Sequence, residues 1–249
     1  MIQKRYKPLF TIFLAMVDIN KHRFYLVQIL KDIYKDPELA NFLGFKGGTA
    51  LMFFYDLPRF SVDLDFNLLD PSRQESVYHK VREIILKYGI IHDEAGKYYG
   101  PLIVLDYGSG ERKLKVEISN RNFDDHYEIK NFLGINVNVM TISDMFAHKL
   151  CALTDRGSIA ARDVFDNWFF MNTQTAVNKN IIEFRMQTDY KSYIQHCINR
   201  VTETNEKALI QGLGEMLDRQ MKNFVRKKLK QETLHLLQFY RDYPILASQ

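Results

Sequence analysis

Asp63 and Asp65 lie one residue apart in the segment Arg59-Phe60-Ser61-Val62-Asp63-Leu64-Asp65-Phe66, downstream of Phe45-Lys46-Gly47-Gly48-Thr49-Ala50-Leu51. On a strand, side chains two residues apart share a face about 7 Å apart, so the two carboxylates can converge on one hard cation or on a pair about 4 Å apart. Magnesium suits such a set, because it takes a few protein oxygens and fills its shell with water and phosphate. The double glycine removes side-chain bulk where backbone N–H groups at a helix start can approach phosphate, and the helix dipole favours an anion there. A solvated strand face or a tight strand-to-helix turn would use the same residues. The glycines match neither the dinucleotide fingerprint nor the eight-residue phosphate loop. Their position ahead of the aspartates, within one strand-helix-strand unit, points to nucleotide chemistry.

The elements that must hold these residues follow from periodicity. Apolar residues from Phe24 to Leu43 recur at helical spacing, and Pro37 after Asp36 starts a second helix. Gly44-Phe45-Lys46 is a short extended lead-in, a helix begins at the glycines, and 62–68 alternates as a strand. That strand puts Val62, Leu64, Phe66 and Leu68 on one face and Ser61, Asp63, Asp65 and Asn67 on the other. A helix is expected from Ser72 to about Tyr88, then a hairpin of strands 102–107 and 113–119 across Gly108-Ser109-Gly110-Glu111. In its second arm Glu117 faces away from Leu114, Val116 and Ile118, and it joins the aspartates if the two strands are neighbours. A further strand is expected near 135–140. Helices follow over about 143–155, 160–171, 181–199, 206–219 and 221–241.

The fold class expected is α/β, with a mixed sheet flanked by helices and a helical bundle at the C-terminal end. Its division is 1–140 for the α/β part with its N-terminal helices and 141–249 for the helical part. The chain has 249 residues, of which 46% are hydrophobic, enough for a packed core without staples. A net charge of +4 is too weak to argue for nucleic acid but is compatible with anionic ligands. The apolar run 9–17 after Lys4, Arg5 and Lys7 imitates a secretory signal, but no cleavage site follows and the run is too short to span a bilayer. It reads as a buried or partner-facing helix. Cys151 and Cys197, without a paired framework, read as reduced thiols of a cytoplasmic protein.

The order Gly-Gly-Thr-Ala-Leu, Arg-Phe-Ser-x-Asp-Leu-Asp-Phe, Lys-Val-Glu-Ile, His-Lys-Leu-Cys-Ala-Leu-x-x-Arg and Arg-Asp-Val-Phe-Asp resembles the AbiEii-type abortive-infection toxins, a branch of the polymerase-beta-like nucleotidyltransferases. The resemblance covers roughly residues 24–240. It implies a nucleotidyltransferase-like sheet in which Gly47, Gly48 and Thr49 belong to the nucleotide-binding motif, with Arg59 and Ser61 lining the same pocket. It also implies that Asp63, Asp65 and Glu117 bind catalytic magnesium, two ions in all, and that Lys149 contacts the triphosphate. Asp163 and Asp166 sit in the final acidic motif. The implied activity is transfer of a nucleoside monophosphate from an NTP to an acceptor, an RNA such as a tRNA end, with release of pyrophosphate. A cognate antitoxin is the implied partner.

The residues of the helical half carry a parallel reading. From Ser143 onward, Phe146, Leu150 and Leu153 form an apolar stripe, while Lys149 and Arg156 share an adjacent face from which two cations can reach phosphate. Asp163 and Asp166 lie three apart on a helix whose buried side is Val164, Trp168 and Met171, and a solvated acidic face is the plain alternative. Arg219, Lys222, Arg226, Lys227, Lys228 and Lys230 crowd one late helix that can receive RNA phosphates or an acidic protein. His148 and Cys151 lack the second ligand pair of a zinc site, and no nucleophile elbow is present. Alternatives to RNA transfer are transfer to a protein or small molecule, and a non-catalytic nucleotide-binding or nucleic-acid-binding module.

Overall fold

The computed structural model describes residues 18–97, 99–155 and 157–247; the run 9–17 and Arg156 lie outside them. The chain opens with α1 (Ile19–Lys35), α2 (Pro37–Phe42), β1 (Leu43–Lys46), α3 (Gly47–Phe54) and β2 (Asp63–Leu68). It continues through α4 (Gln74–Leu86), β3 (Ile90–Lys97), β4 (Gly100–Asp106), β5 (Leu114–Ser119), β6 (Tyr127–Phe132) and β7 (Ile135–Met140). The rest is helical: α5 (Ile142–Ala152), α6 (Ala161–Asn172), α7 (Lys179–Met186), α8 (Tyr190–Glu203), α9 (Glu206–Leu213), α10 (Arg219–Lys227) and α11 (Leu229–Asp242). Local signals set several boundaries. Asp36 ends α1 and caps α2, its carboxylate accepting from the N–H groups of Glu38 and Leu39, with Pro37 in the first turn.

The seven strands form one mixed sheet in the order β3-β4-β5-β2-β1-β7-β6. β2 lies at its centre, antiparallel to β1 and parallel to β5, and the register sets Asp65 opposite both Lys46 and Glu117. The adjacency on which Glu117 depended is therefore real. Val62, Leu64, Phe66 and Leu68, with Leu114, Val116 and Ile118, are all buried on the other face. One cluster of buried residues runs from α1 through the sheet and into α5, α6, α8 and α11. No helix among the described residues is long and apolar enough to cross a membrane.

The structure departs from the sequence reading at the sheet edges and in the late helices. β3 and β6 were not expected. Each pairs on one side only, and neither carries the apolar alternation of a strand buried on one face. The helix expected over 181–199 is two helices, because Gln187 takes a left-handed conformation with φ of 54° and Asp189 caps a new start. The helix expected over 206–219 ends at Leu213. The one expected over 221–241 breaks at Lys228, between α10 and α11.

Candidate active site

β2, the start of α3 and α5 wall a cleft of about 530 Å³ on the polar face of the sheet. Asp63, Asp65, Glu117, Gly47, Gly48, Arg59, Ser61, Lys149 and Asp163 all line it. Strand alternation delivers Asp63 and Asp65 to one face, and the parallel pairing with β5 brings Glu117 level with Asp65. Helical spacing delivers the opposite wall, since Met145, His148, Lys149 and Ala152 line the cleft while Phe146, Leu150 and Leu153 are buried behind it.

The glycines meet a steric demand. Gly47 has φ of +80°, and a Cβ there would collide with the Asp65 carboxylate. A Cβ at Gly48 would lie 2.7 Å from Ser61 Oγ and 2.8 Å from Arg59 Nη2. Backbone and polar side chains are thus in contact where α3 begins. No side chain caps that helix start, so its first N–H groups have no side-chain acceptor. Thr49 does not reach the cleft through its side chain; it is fully buried, and its hydroxyl donates to the Asp63 carbonyl. Its part is to tie α3 to β2.

Asp166 lies beneath the cleft. It is fully buried, accepts from Arg59 Nε at 2.6 Å and Nη2 at 2.7 Å, and pairs with Lys149 Nζ at 2.7 Å. Burial alone would raise its carboxyl, but Arg59 and Lys149 together hold it down at about 2. Asp163, 3.9 Å from the same ammonium, faces the cleft. The solvated acidic face is overturned for both, since neither is more than 2% exposed. Asp166 fixes two cations in place, one from each half of the chain, while Asp163 lines the cleft.

The donor set suits a hard divalent cation. Burial, reinforced by Asp63 and Glu117, pushes the Asp65 carboxyl up to about 6, which marks a concentration of negative charge that Lys46 and Lys149 only partly offset. Among the described residues no three acid, histidine or cysteine side chains are already gathered into a cage. Cys151 and Cys197 are free and buried, with burial pushing both thiols up to about 12.

Several cleft residues were not singled out in the sequence. Lys46 precedes the glycines and faces Asp65 across the β1 to β2 register; burial lowers its ammonium to about 8. Its adjacency to Gly47 was the available signal. Asn67 continues the row of Asp63 and Asp65, which the alternation already displayed. Asp125, Arg121, Arg162 and Arg185 also line the cleft, brought there from distant segments by tertiary packing alone.

A row of carboxylates, an uncapped glycine helix start and a lysine paired with a buried aspartate thus share one cleft on the polar face of the mixed sheet. Residues 28–242 match the family described as nucleotidyl transferase AbiEii toxin, type IV toxin–antitoxin system, and the chain belongs to that family of nucleotidyltransferases. In fold it is similar to JHP933 from Helicobacter pylori, with 21% identity, a TM-score of 0.52 and coverage of 91% of this chain and 93% of that one. It is also similar to a second H. pylori structure, that of a candidate nucleotidyltransferase, with 20% identity, a TM-score of 0.55 and coverage of 91% and 96%. A comparison with curated proteins finds no match.

Proposed function

We propose that the chain is a magnesium-dependent toxin that moves a nucleoside monophosphate from an NTP onto an RNA hydroxyl, with a tRNA end as the acceptor and pyrophosphate as the second product. The observation that carries this reading is the register of Asp65 with Glu117 on the face that Gly47, Gly48 and Lys149 close. In the reaction, the acceptor oxygen bonds to the α-phosphorus as the bond from that phosphorus to the β-phosphate's bridging oxygen breaks. The hydroxyl proton passes to water, and the bridging electron pair leaves with pyrophosphate. The start of α3 binds phosphate oxygens through backbone N–H groups. Lys149, oriented by Asp166, stabilises charge on the departing group. Asp63, Asp65 and Glu117 would hold two magnesium ions, which supply charge neutralisation at the triphosphate and a lowered pKa for the acceptor hydroxyl. The two halves, 1–140 and 141–249, divide the work, the first holding the carboxylates and the second supplying Lys149 and Asp163.

The RNA part of the reading draws on α10. Arg219, Arg226, Lys227 and Lys228 are exposed there, and α10 begins three residues beyond Met216, which lines the cleft. Lys230 is not part of that surface, since its ammonium donates to the Thr202 and Thr204 carbonyls at the end of α8. A cytoplasmic location and regulation by a cognate antitoxin go with this reading.

The test is incubation of the full chain with α-labelled NTPs, magnesium and total RNA, for the parent and for Asp63→Ala. Label entering RNA with the parent and falling at least a hundredfold in the variant is the expected outcome. Label entering protein or a small molecule instead, or label unaffected by Asp63→Ala, contradicts the proposal.

A further inference from the structure

Beyond the carboxylates, β2 carries a second polar arrangement that the transfer chemistry above leaves unused. Asn67 is two residues past Asp65 on the same face, lines the cleft and is 3% exposed. Its Nδ2 donates to Asp125 Oδ2 and to the Tyr127 hydroxyl, each at 2.8 Å. A carboxylate only accepts, so this pairing fixes which way the amide faces. Asn67 Oδ1 is left buried with no protein donor among the described residues.

Asp125 is itself held in place. Its Oδ1 meets His148 Nε2 at 2.6 Å, and Arg185 Nη1 donates to His148 Nδ1 at 2.9 Å. A guanidinium has no lone pair to offer, so Nδ1 is the acceptor and the ring proton sits on Nε2, donated to Asp125. Burial, which lowers the His148 pKa, favours the same neutral ring. Arg185 is anchored in turn by Asp155 and lies 5.0 Å from the Phe123 ring centre. An ordered series of hydrogen bonds therefore ends on one oxygen that can only accept.

We propose that this end of the cleft recognises the nucleoside half of the nucleotide, with Asn67 Oδ1 accepting a hydrogen bond from a sugar hydroxyl or from a base N–H. The inference rests on the nucleotide reading above. The strand gives it direction: Lys46, beside the glycines, pairs with Asp65, whereas Asn67 pairs with Gly44, two residues farther from the phosphate bed. A group bound beyond the carboxylates is the part of an NTP that lies beyond its α-phosphate. A site already built to accept discriminates against a ligand lacking the donor, because a buried oxygen then goes unmet.

The experiment is equilibrium binding to the full chain, in magnesium and without acceptor, of the four NTPs, of analogues lacking one sugar hydroxyl or the exocyclic amine, and of tripolyphosphate. Tripolyphosphate is the probe for the phosphate bed alone. The expected result is that one natural NTP binds more tightly than tripolyphosphate and that removing one donor weakens it about tenfold, the scale of a single buried hydrogen bond. Loss with a deoxy analogue assigns the sugar, and loss with the amine-free analogue assigns the base. Asn67→Leu should lose a similar factor for that NTP while keeping the parent's affinity for tripolyphosphate. Equal binding of every analogue by the parent overturns the proposal without the variant, and so does equal weakening of NTP and tripolyphosphate by Asn67→Leu. Binding of neither probe by the parent overturns the nucleotide reading along with it.

Discussion

Asp65 and Asp166 are acids of one site whose surroundings drive them in opposite directions. Burial, with Asp63 and Glu117 adding to it, lifts Asp65 from 3.8 to about 6. The folded chain therefore holds this proton more tightly than the unfolded chain. The stability it contributes is present at low pH and is lost as pH rises from about 4 through 6, by on the order of 2–3 kcal/mol. Asp65→Asn removes that penalty, so at pH 8 without magnesium the variant should melt above the parent, and a lower melting temperature would count against the crowding of charge. Asp166, held at about 2 by Arg59 and Lys149 despite its burial, has the reverse sign. Its contribution is complete above about 4 and disappears as pH falls towards 2, by on the order of 2 kcal/mol. Asp166→Asn leaves two cations poorly matched and should cost about 3–5 kcal/mol in urea unfolding at pH 7. A cost below about 1 kcal/mol would mean that the pair is not holding the two halves together.

Among the elements, α3 bears the closest geometric demand, because it starts on a residue with positive φ against a carboxylate. Gly47→Ala should lose about 1–2 kcal/mol from backbone strain and, through displacement of Asp65, at least tenfold in nucleotide affinity. Melting and nucleotide titration of the same preparation check both; unchanged affinity would remove α3 from the phosphate bed. This element was legible in the sequence, as were β2, the hairpin of β4 and β5, and β7, since in each the alternation or turn residues reflect burial on one side. β3 and β6 were not, because an edge strand needs only one hydrogen-bonding neighbour and its apolar pattern is correspondingly loose. The breaks at Gln187 and Lys228 were equally hidden, neither being a glycine or proline. Asp63 and Asp65 could be read as one face from periodicity, and Glu117 as their neighbour only on the condition that β2 and β5 pair, which they do. The pairing of Arg59 with Asp166 could not, since 107 residues separate them and only the packed molecule brings them together.

At the scale of the whole molecule, the proposed reaction assigns the NTP to the cleft and the RNA to α10. Reversing Arg226, Lys227 and Lys228 to Glu should weaken RNA binding at least tenfold and flatten its salt dependence, while NTP affinity stays within twofold; filter binding across a salt series reads both. RNA affinity indifferent to the reversal would move the acceptor elsewhere on the surface. The central claim concerns the cleft, which Asp63, Asp65 and Glu117 from β2 and β5 line together with the start of α3. It is tested most directly by a crystal structure with manganese and a non-hydrolysable NTP, reading the metal from its anomalous signal. The account predicts manganese bound by Asp63 and Asp65 with triphosphate oxygens against Gly47 and Gly48. Manganese and triphosphate bound together away from β2 would contradict it.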